Sequence, residues 1–290
     1  MNKIALGTVQ FGQDYGIANK NGQVKIEEIS SILDYALTNG INTLDTAFGY
    51  GESEKKLGIA GIKGWKVISK LPHLPHHRID IDRWVKHTTK TSLQLLKTEK
   101  LYGLLLHRPS DLLSESGDNL YKSLQNLKTL GFVEKIGISV YSVNELKKIC
   151  SRYDFDVIQV PMNVIDWRFK NTGTLKKLKK SNIEIHIRSI FLQGLLLMTR
   201  NELKNKFNKW SLLWNRWHDW LLDYKITPLQ ACLSHVLNEH DIDKIIVGVD
   251  NAQHLIEIVE AAKIKTPNIP EEFISNDIEL INPMSWDKLD

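Results

Sequence analysis

Cysteine is nearly absent: Cys150 and Cys232 are the only two in 290 residues. They form no CxxC pair and no metal-ligand spacing, so neither a disulfide framework nor a thiolate zinc site organises the chain. Both fall in helical patterns, where buried thiols are expected. Charge of one sign is also scarce. The formal net charge is +4, from 38 basic and 34 acidic residues, too little for a nucleic-acid or membrane footprint. The densest basic run, Lys176-Lys177-Leu178-Lys179-Lys180, reads as a solvated helix face. No apolar run is long enough to span a bilayer, and the opening MNKIALGTVQ is too short in apolar residues for a secretion signal. A cytoplasmic, reducing setting is therefore expected. No strand pattern is followed by GxGxxG; Gly49 and Gly51 fail that spacing, which argues against a Rossmann phosphate turn.

What is present is an alternation. Short apolar runs at 3–6, 42–44, 65–69, 102–106, 136–138, 156–158, 183–187 and 244–247 read as strands. Their centres are almost continuously apolar, as in parallel strands covered on both faces. Helical patterns lie between them, at 25–38, 82–96, 117–130, 143–150 and 251–262. Eight strands, intervening helices and no Rossmann turn favour an α/β fold of the (β/α)8 TIM-barrel type over a doubly wound sheet. Residues 1–290 are read as one such domain. It carries a long helical insertion after strand 7, where Trp210, Trp214, Trp217, Leu221 and Tyr224 recur at helical spacing and read as core packing. Thr227-Pro228 marks a helix start. Beyond Ala262 the tail, with Pro267, Pro270 and Pro283, reads as extended and irregular.

In such barrels chemistry sits at the carboxyl ends of the strands. The residues there are Gly7-Thr8, Asp45, Lys70, His107, Ser139, Gln159, Arg188 and Gly248. Asp45 and Lys70 end neighbouring strands and can pair across the mouth. Tyr50 follows Asp45 on the returning loop. A phenol beside an ammonium is expected to have a lowered pKa and to donate a proton to a developing alkoxide. Asp45 would keep Lys70 charged, and His107 would orient the same carbonyl oxygen. Each residue alone reads equally as a structural ion pair, a loop aromatic or a core histidine; converging at one rim, they read as a site. His73, His76 and His77 in LPHLPHHRID are taken as surface histidines, and no metal is expected. That loop, the Asp14-Tyr15 loop, the Trp167-Arg168 pair and the tail are expected to shape the pocket, with Arg168 read equally as a grip for an anionic substrate or as an ordinary surface arginine.

Together these residues resemble the aldo/keto reductase family. The resemblance runs through DTAFGYGESEKKLG (45–58), Lys70, LLLHRP (104–109), GISVYS (137–142), IQVPMN (158–163), RSIFLQGLLL (188–197) and IIVGVDNAQHL (245–255). It implies a barrel that binds a nicotinamide nucleotide and reduces a small aldehyde or ketone, with Tyr50 as proton donor and Asp45, Lys70 and His107 around it. It further implies that Ser139 and Gln159 hold the nicotinamide carboxamide, that Ser189 through Gln193 line the pyrophosphate, and that Gly248, His254 and Glu257 meet the adenosine end. Departures from the family pattern are Val140, Arg188 where an aromatic usually stacks, Ile258, and weak basic character over Gly248, Val249, Asp250, Asn251, Gln253 and His254. The family hairpin that closes the barrel floor has no counterpart before Lys3. The resemblance favours NADP(H), with NAD(H) as the alternative cofactor. It also leaves a second functional class, a nucleotide-binding regulatory subunit with little turnover. A monomer is the default.

Overall fold

The computed structural model describes residues 3–75 and 80–289. Eight parallel strands close on one another in sequence order. They are β1 (Ile4–Gly7), β2 (Thr43–Asp45), β3 (Lys66–Leu71), β4 (Leu101–Leu106), β5 (Val133–Ser139), β6 (Val157–Pro161), β7 (Glu184–Arg188) and β8 (Lys244–Gly248). The expected strands are all there, as a (β/α)8 barrel of one domain, but most run further toward the mouth than the apolar pattern indicated. Asp45, Lys70, Ser139, Gln159, Arg188 and Gly248 are within strands rather than after them. The reason is that the last rungs still pair: Gly7 lies beside Asp45 and Gly248, and Ser139 beside Gln159. Polar side chains entering the barrel axis end the hydrophobic signal before they end the ladder.

The outer ring is α1 (Ile26–Thr38), α2 (Ser53–Ala60), α3 (Ile81–Leu96), α4 (Gly117–Thr129), α5 (Val143–Cys150), α6 (Thr174–Lys180), α7 (Ser211–Asp223), α8 (Pro228–Leu237) and α9 (Ala252–Ala261). Local chemistry fixes several starts. Asp80 accepts from the Arg83 amide ahead of α3. Thr227 and Gln230 form a reciprocal capping box on α8, behind Pro228. Apolar helix faces meet the outward faces of the strands in the main core, including Ile32, Leu96, Leu124 and Ile149. The thiols are free, Cys150 half-buried and Cys232 buried.

Inside the barrel the side chains form layers. Ile68, Leu105 and Val157 make a separate, fully buried apolar cluster. Below it, Tyr102 donates to Glu184 (2.8 Å), Lys135 pairs with Glu184, and His186 meets Glu184 at 2.7 Å. Above it stand Asp45, Lys70, Ser139 and Gln159.

The segment between β7 and β8 and the tail share a satellite core. Trp214, Trp217, Trp220, Phe207, Phe273 and Trp286 are buried there. Trp217 meets Phe273 edge-on at 5.7 Å, and Phe207 meets Trp286 at 5.0 Å. Tyr224, counted with this stripe in the sequence, is instead 53% exposed at the end of α7. The tail is not wholly irregular. It folds into short helical turns at Glu271–Phe273, Ile278–Ile281 and Pro283–Lys288, the last capped by Asn282. Trp210 donates to Asp277 at 3.0 Å and ties the two segments together.

Candidate active site

A cleft of about 640 Å³ opens at the carboxyl ends of the strands. Asp45, Tyr50 and His107 line one part of it; Gly7, Thr8, Ser139, Gln159, Arg188, Ser189, Gln193, Gly248, His254 and Glu257 line the rest. Lys70 is 1% exposed and lies behind Tyr50. Its Nζ donates to Asp45 Oδ1 (2.5 Å), to the Thr46 carbonyl (2.9 Å) and to Tyr50 Oη (3.5 Å). Tyr50 and His107 meet edge-to-face, 5.6 Å between centroids. The structure thus brings together all four residues expected as the acid–base set.

It also joins them to residues expected to serve the cofactor. Gln159 donates to the second Asp45 oxygen (2.8 Å), Ser139 donates to Gln159 Oε1 (2.9 Å), and Arg188 Nε donates to Ser139 Oγ (3.2 Å). One hydrogen-bonded chain therefore runs from Arg188 to Tyr50. Two ions at the centre of a barrel are costly unless every lone pair and proton is used. Here both oxygens of Asp45 and three donor directions of Lys70 are engaged.

Burial pushes the Tyr50 phenol above the ordinary tyrosine value; Lys70 pulls it down and Asp45 pushes it further up. The expected lowering by Lys70 is therefore corrected. Asp45 neutralises the ammonium at close range, and loss of hydration outweighs what remains. The phenol stays protonated at neutral pH. Burial also works against the Lys70 ammonium, but Asp45 and Tyr50 more than restore it, and its pKa rises. His107 is lowered to about 4 by loss of hydration on its packed side and then by the charges of Lys70 and Arg188. Its imidazole is neutral and offers an N–H rather than a charge.

Tyr50 is positioned by a backbone crossing. A Cβ on Gly12 would lie 1.9 Å from the Tyr50 carbonyl and 2.4 Å from the Ser53 amide. Gly51, at φ +57, meets Gly12 in the same crossing. Ser53 then donates to the Thr8 carbonyl (2.8 Å), and Ser69 donates to the buried Glu54 (2.6 Å). Ser53 and Glu54 lie inside the motif of residues 45–58, yet sequence reasoning gave them no role. Their signal was the motif's extension beyond Tyr50.

The loop after β7 forms the next wall. Ser189, Leu192 and Gln193 all hold positive φ, and Gly194 follows at φ +90. Strain of this kind persists only where surrounding contacts impose it. Asn163, unassigned from sequence, donates to the Ser189 carbonyl at 3.1 Å and helps impose it. Arg188, expected in the position of a stacking aromatic, lays its guanidinium on the Tyr141 ring at 3.7 Å. Tyr15 and Tyr141 line the cleft, and the tail contributes Pro283, Met284 and Trp286. Trp167 and Arg168 do not line it. Arg168 forks onto the buried Asp166 (both contacts 2.8 Å), and Trp167 stacks on His235. Arg168 is thus a structural partner, not an anion grip. His73 pairs with Asp111 at 2.7 Å; His76 and His77 lie outside the described residues. No cluster of three metal-ligating side chains occurs among the described residues.

A one-domain (β/α)8 barrel with an aspartate, tyrosine, lysine and histidine gathered at its mouth defines an oxidoreductase class. The profile of the aldo/keto reductase family matches residues 3–275, and the chain belongs to that family. Among solved structures it is similar to the holo form of a Bacillus halodurans aldo-keto reductase, at 19% identity and TM-score 0.72, covering 93% of this chain and 89% of that one. The apo form of the same protein matches at 20% identity and TM-score 0.67, over 86% and 85% of the two chains. A Pseudomonas aeruginosa protein assigned to the aldo-keto reductases matches at 22% identity and TM-score 0.65, over 90% and 89%. These likenesses carry the fold. No curated protein matches. Among the described residues no helix is long and apolar enough to cross a membrane.

Proposed function

We propose that this chain reduces an aldehyde or ketone to an alcohol with a reduced nicotinamide nucleotide, Tyr50 being the proton donor. The observation that carries the reading is the buried Asp45–Lys70 pair, 2.5 Å apart, with Tyr50 Oη on its cleft side. The cleft suits a dinucleotide in its chemistry. A hydroxyl and an amide (Ser139, Gln159) stand beside the acid–base set, and farther along the wall an Asp250 oxygen is buried with no partner among the described residues. When bound, the reduced nicotinamide supplies the hydride.

The chain's own residues do the rest. Tyr50 Oη gives its proton to the carbonyl oxygen as that oxygen becomes an alkoxide. Lys70 stabilises the phenolate left behind, and Asp45 keeps Lys70 in place. Neutral His107 donates a hydrogen bond that orients the carbonyl. Ser139 and Gln159 hold the carboxamide, Ser189 and Gln193 the pyrophosphate, and Gly248, His254 and Glu257 the adenosine end, while Gly7 and Thr8 form the inner wall. The resemblance favours NADP(H) here, with NAD(H) as the alternative. The reading carries with it a small carbonyl substrate, a monomer and a cytoplasmic setting.

The test is Tyr50→Phe. Turnover in carbonyl reduction should fall on the order of 10²–10⁴-fold. The dissociation constant of the reduced nucleotide should stay within about twofold, because the phenol acts on the transition state. Parallel loss of binding and turnover would contradict the role.

A further inference from the structure

We propose that the adenosine end of this cleft selects NAD(H) over NADP(H), and that Asp250 is the residue that decides. The inference rests on the nicotinamide reading of the cleft and reverses the cofactor preference expected from the family resemblance.

Geometry sets the location. In barrels of this type, phosphate groups lie between the loops after strands 7 and 8. With the reacting ring at Tyr50 and the phosphates against the Ser189–Gln193 turn, the adenine ribose comes next. It meets the wall that begins at Gly248 and continues into the first turn of α9.

That wall is acidic. The Asp250 side chain is 21% exposed and faces the cleft. Its Oδ1 is buried and has no hydrogen-bond partner among the described residues. Its other oxygen stands 3.8 Å from His254 Nδ1, so any charge on that histidine is already matched. With Oδ1 enclosed, the side chain's exposure is on the Oδ2 side, where the carboxylate can accept from a donor on a ligand. A ribose 2′-hydroxyl is such a donor, the role a carboxylate plays toward NAD in other dinucleotide sites. A 2′-phosphate offers no donor and adds negative charge.

Two of the amides at the start of α9 already have acceptors. The Ala252 amide, at the start of α9, donates to Glu28 Oε1 at 2.5 Å. The His254 amide donates to Asn251 Oδ1 at 2.8 Å. Glu257 lines the same wall, so two carboxylates face this end of the cleft. Residues 245–262 contain no lysine or arginine. The cations elsewhere in the cleft are engaged: Arg188 with Ser139 and the Val140 carbonyl, Lys206 with the Trp286 carbonyl. Recognition of a 2′-phosphate calls for a guanidinium or ammonium, and residues 245–262 supply neither.

The experiment measures binding rather than turnover. NADH and NADPH are titrated by the fluorescence of the reduced nicotinamide, and ADP and 2′,5′-ADP compete as adenosine-end fragments. NADH should bind at least about tenfold more tightly than NADPH, and ADP should compete better than 2′,5′-ADP. Asp250→Asn keeps the shape and removes the charge. It should narrow the NADH-to-NADPH ratio at least about threefold while the folded protein keeps its circular dichroism. NADPH binding as tightly as NADH, or a ratio unmoved by Asp250→Asn, overturns the inference and leaves the cleft's general reading standing. Failure of both nucleotides and both fragments to bind at millimolar concentration overturns that reading too.

Discussion

In the proposed mechanism Lys70 has to satisfy two conditions at once. It must be buried to act on Tyr50, and it must be charged to act at all. Asp45 reconciles them at 2.5 Å, and Gln159 occupies the carboxylate oxygen that Lys70 does not use. Replacing Lys70 by Met leaves Asp45 buried beside no cation. We expect a loss of about 3–5 kcal/mol in stability together with loss of carbonyl reduction. The double variant Lys70→Met/Asp45→Leu removes both charges and should recover most of that stability in urea unfolding, with no recovery of turnover. Recovered activity would mean the pair is structural only. At this scale the sequence was informative where a polar residue interrupts an apolar strand end, as at Asp45, Lys70, His107, Ser139 and Gln159. It gave the wrong direction for the Tyr50 shift, because packing around the phenol comes from distant segments. It gave no sign of the ring on which Arg188 lies, since Tyr141 is on the neighbouring loop after β5.

Among the elements, the decisive contact is the crossing of the loop after β1 with the loop after β2. It joins Gly12 to the backbone of Tyr50, the proposed proton donor. Gly12→Ala forces a methyl to within 1.9 Å of the Tyr50 carbonyl, so one loop must shift. A misplacement near 1 Å at a reacting group costs on the order of 10²-fold in rate. We expect such a fall in turnover, with nucleotide binding much less affected. Gly49→Ala is the control, one residue from Tyr50 with nothing within 4 Å of its added methyl, and should leave turnover nearly unchanged. Equal effects of the two substitutions would refute the crossing as the positioning device. This feature escaped sequence reading because close approach of two backbones leaves only a glycine as its trace, and the chain has 17. Element order was far more legible. Periodicity identified eight strands and the start of α8, while the short turns of the tail were hidden by their prolines, one of which opens a helix.

For the whole molecule, two histidines couple the fold to acidity. His107 is lowered to about 4, and His235, buried against Trp167, is lowered to about 3, first by burial and then by Lys170. In the unfolded chain both titrate near the ordinary value of about 6.5. The folded state therefore binds fewer protons between those values, and stability is full above about pH 6.5 and declines as pH falls toward 4. Each fully coupled buried group contributes a slope of on the order of 1.4 kcal/mol per pH unit in that window. His107 gives less, since part of its ring reaches the open cleft. Urea midpoints measured from pH 7 to pH 4 should fall accordingly, and His235→Gln, which cannot take the charge, should flatten the curve. A wild-type profile without slope there would count against the neutral, buried state of His235.

The apolar cluster of Ile68, Leu105 and Val157 stands between the acid–base set and the ionic network of Tyr102, Lys135 and Glu184. Variants of that network should alter how firmly the cylinder closes rather than turnover. In the proposed reaction, nucleotide and carbonyl share the cleft at the carboxyl ends of the strands. A nucleotide stretched along its wall then obliges the smaller molecule to arrive after it and depart before it.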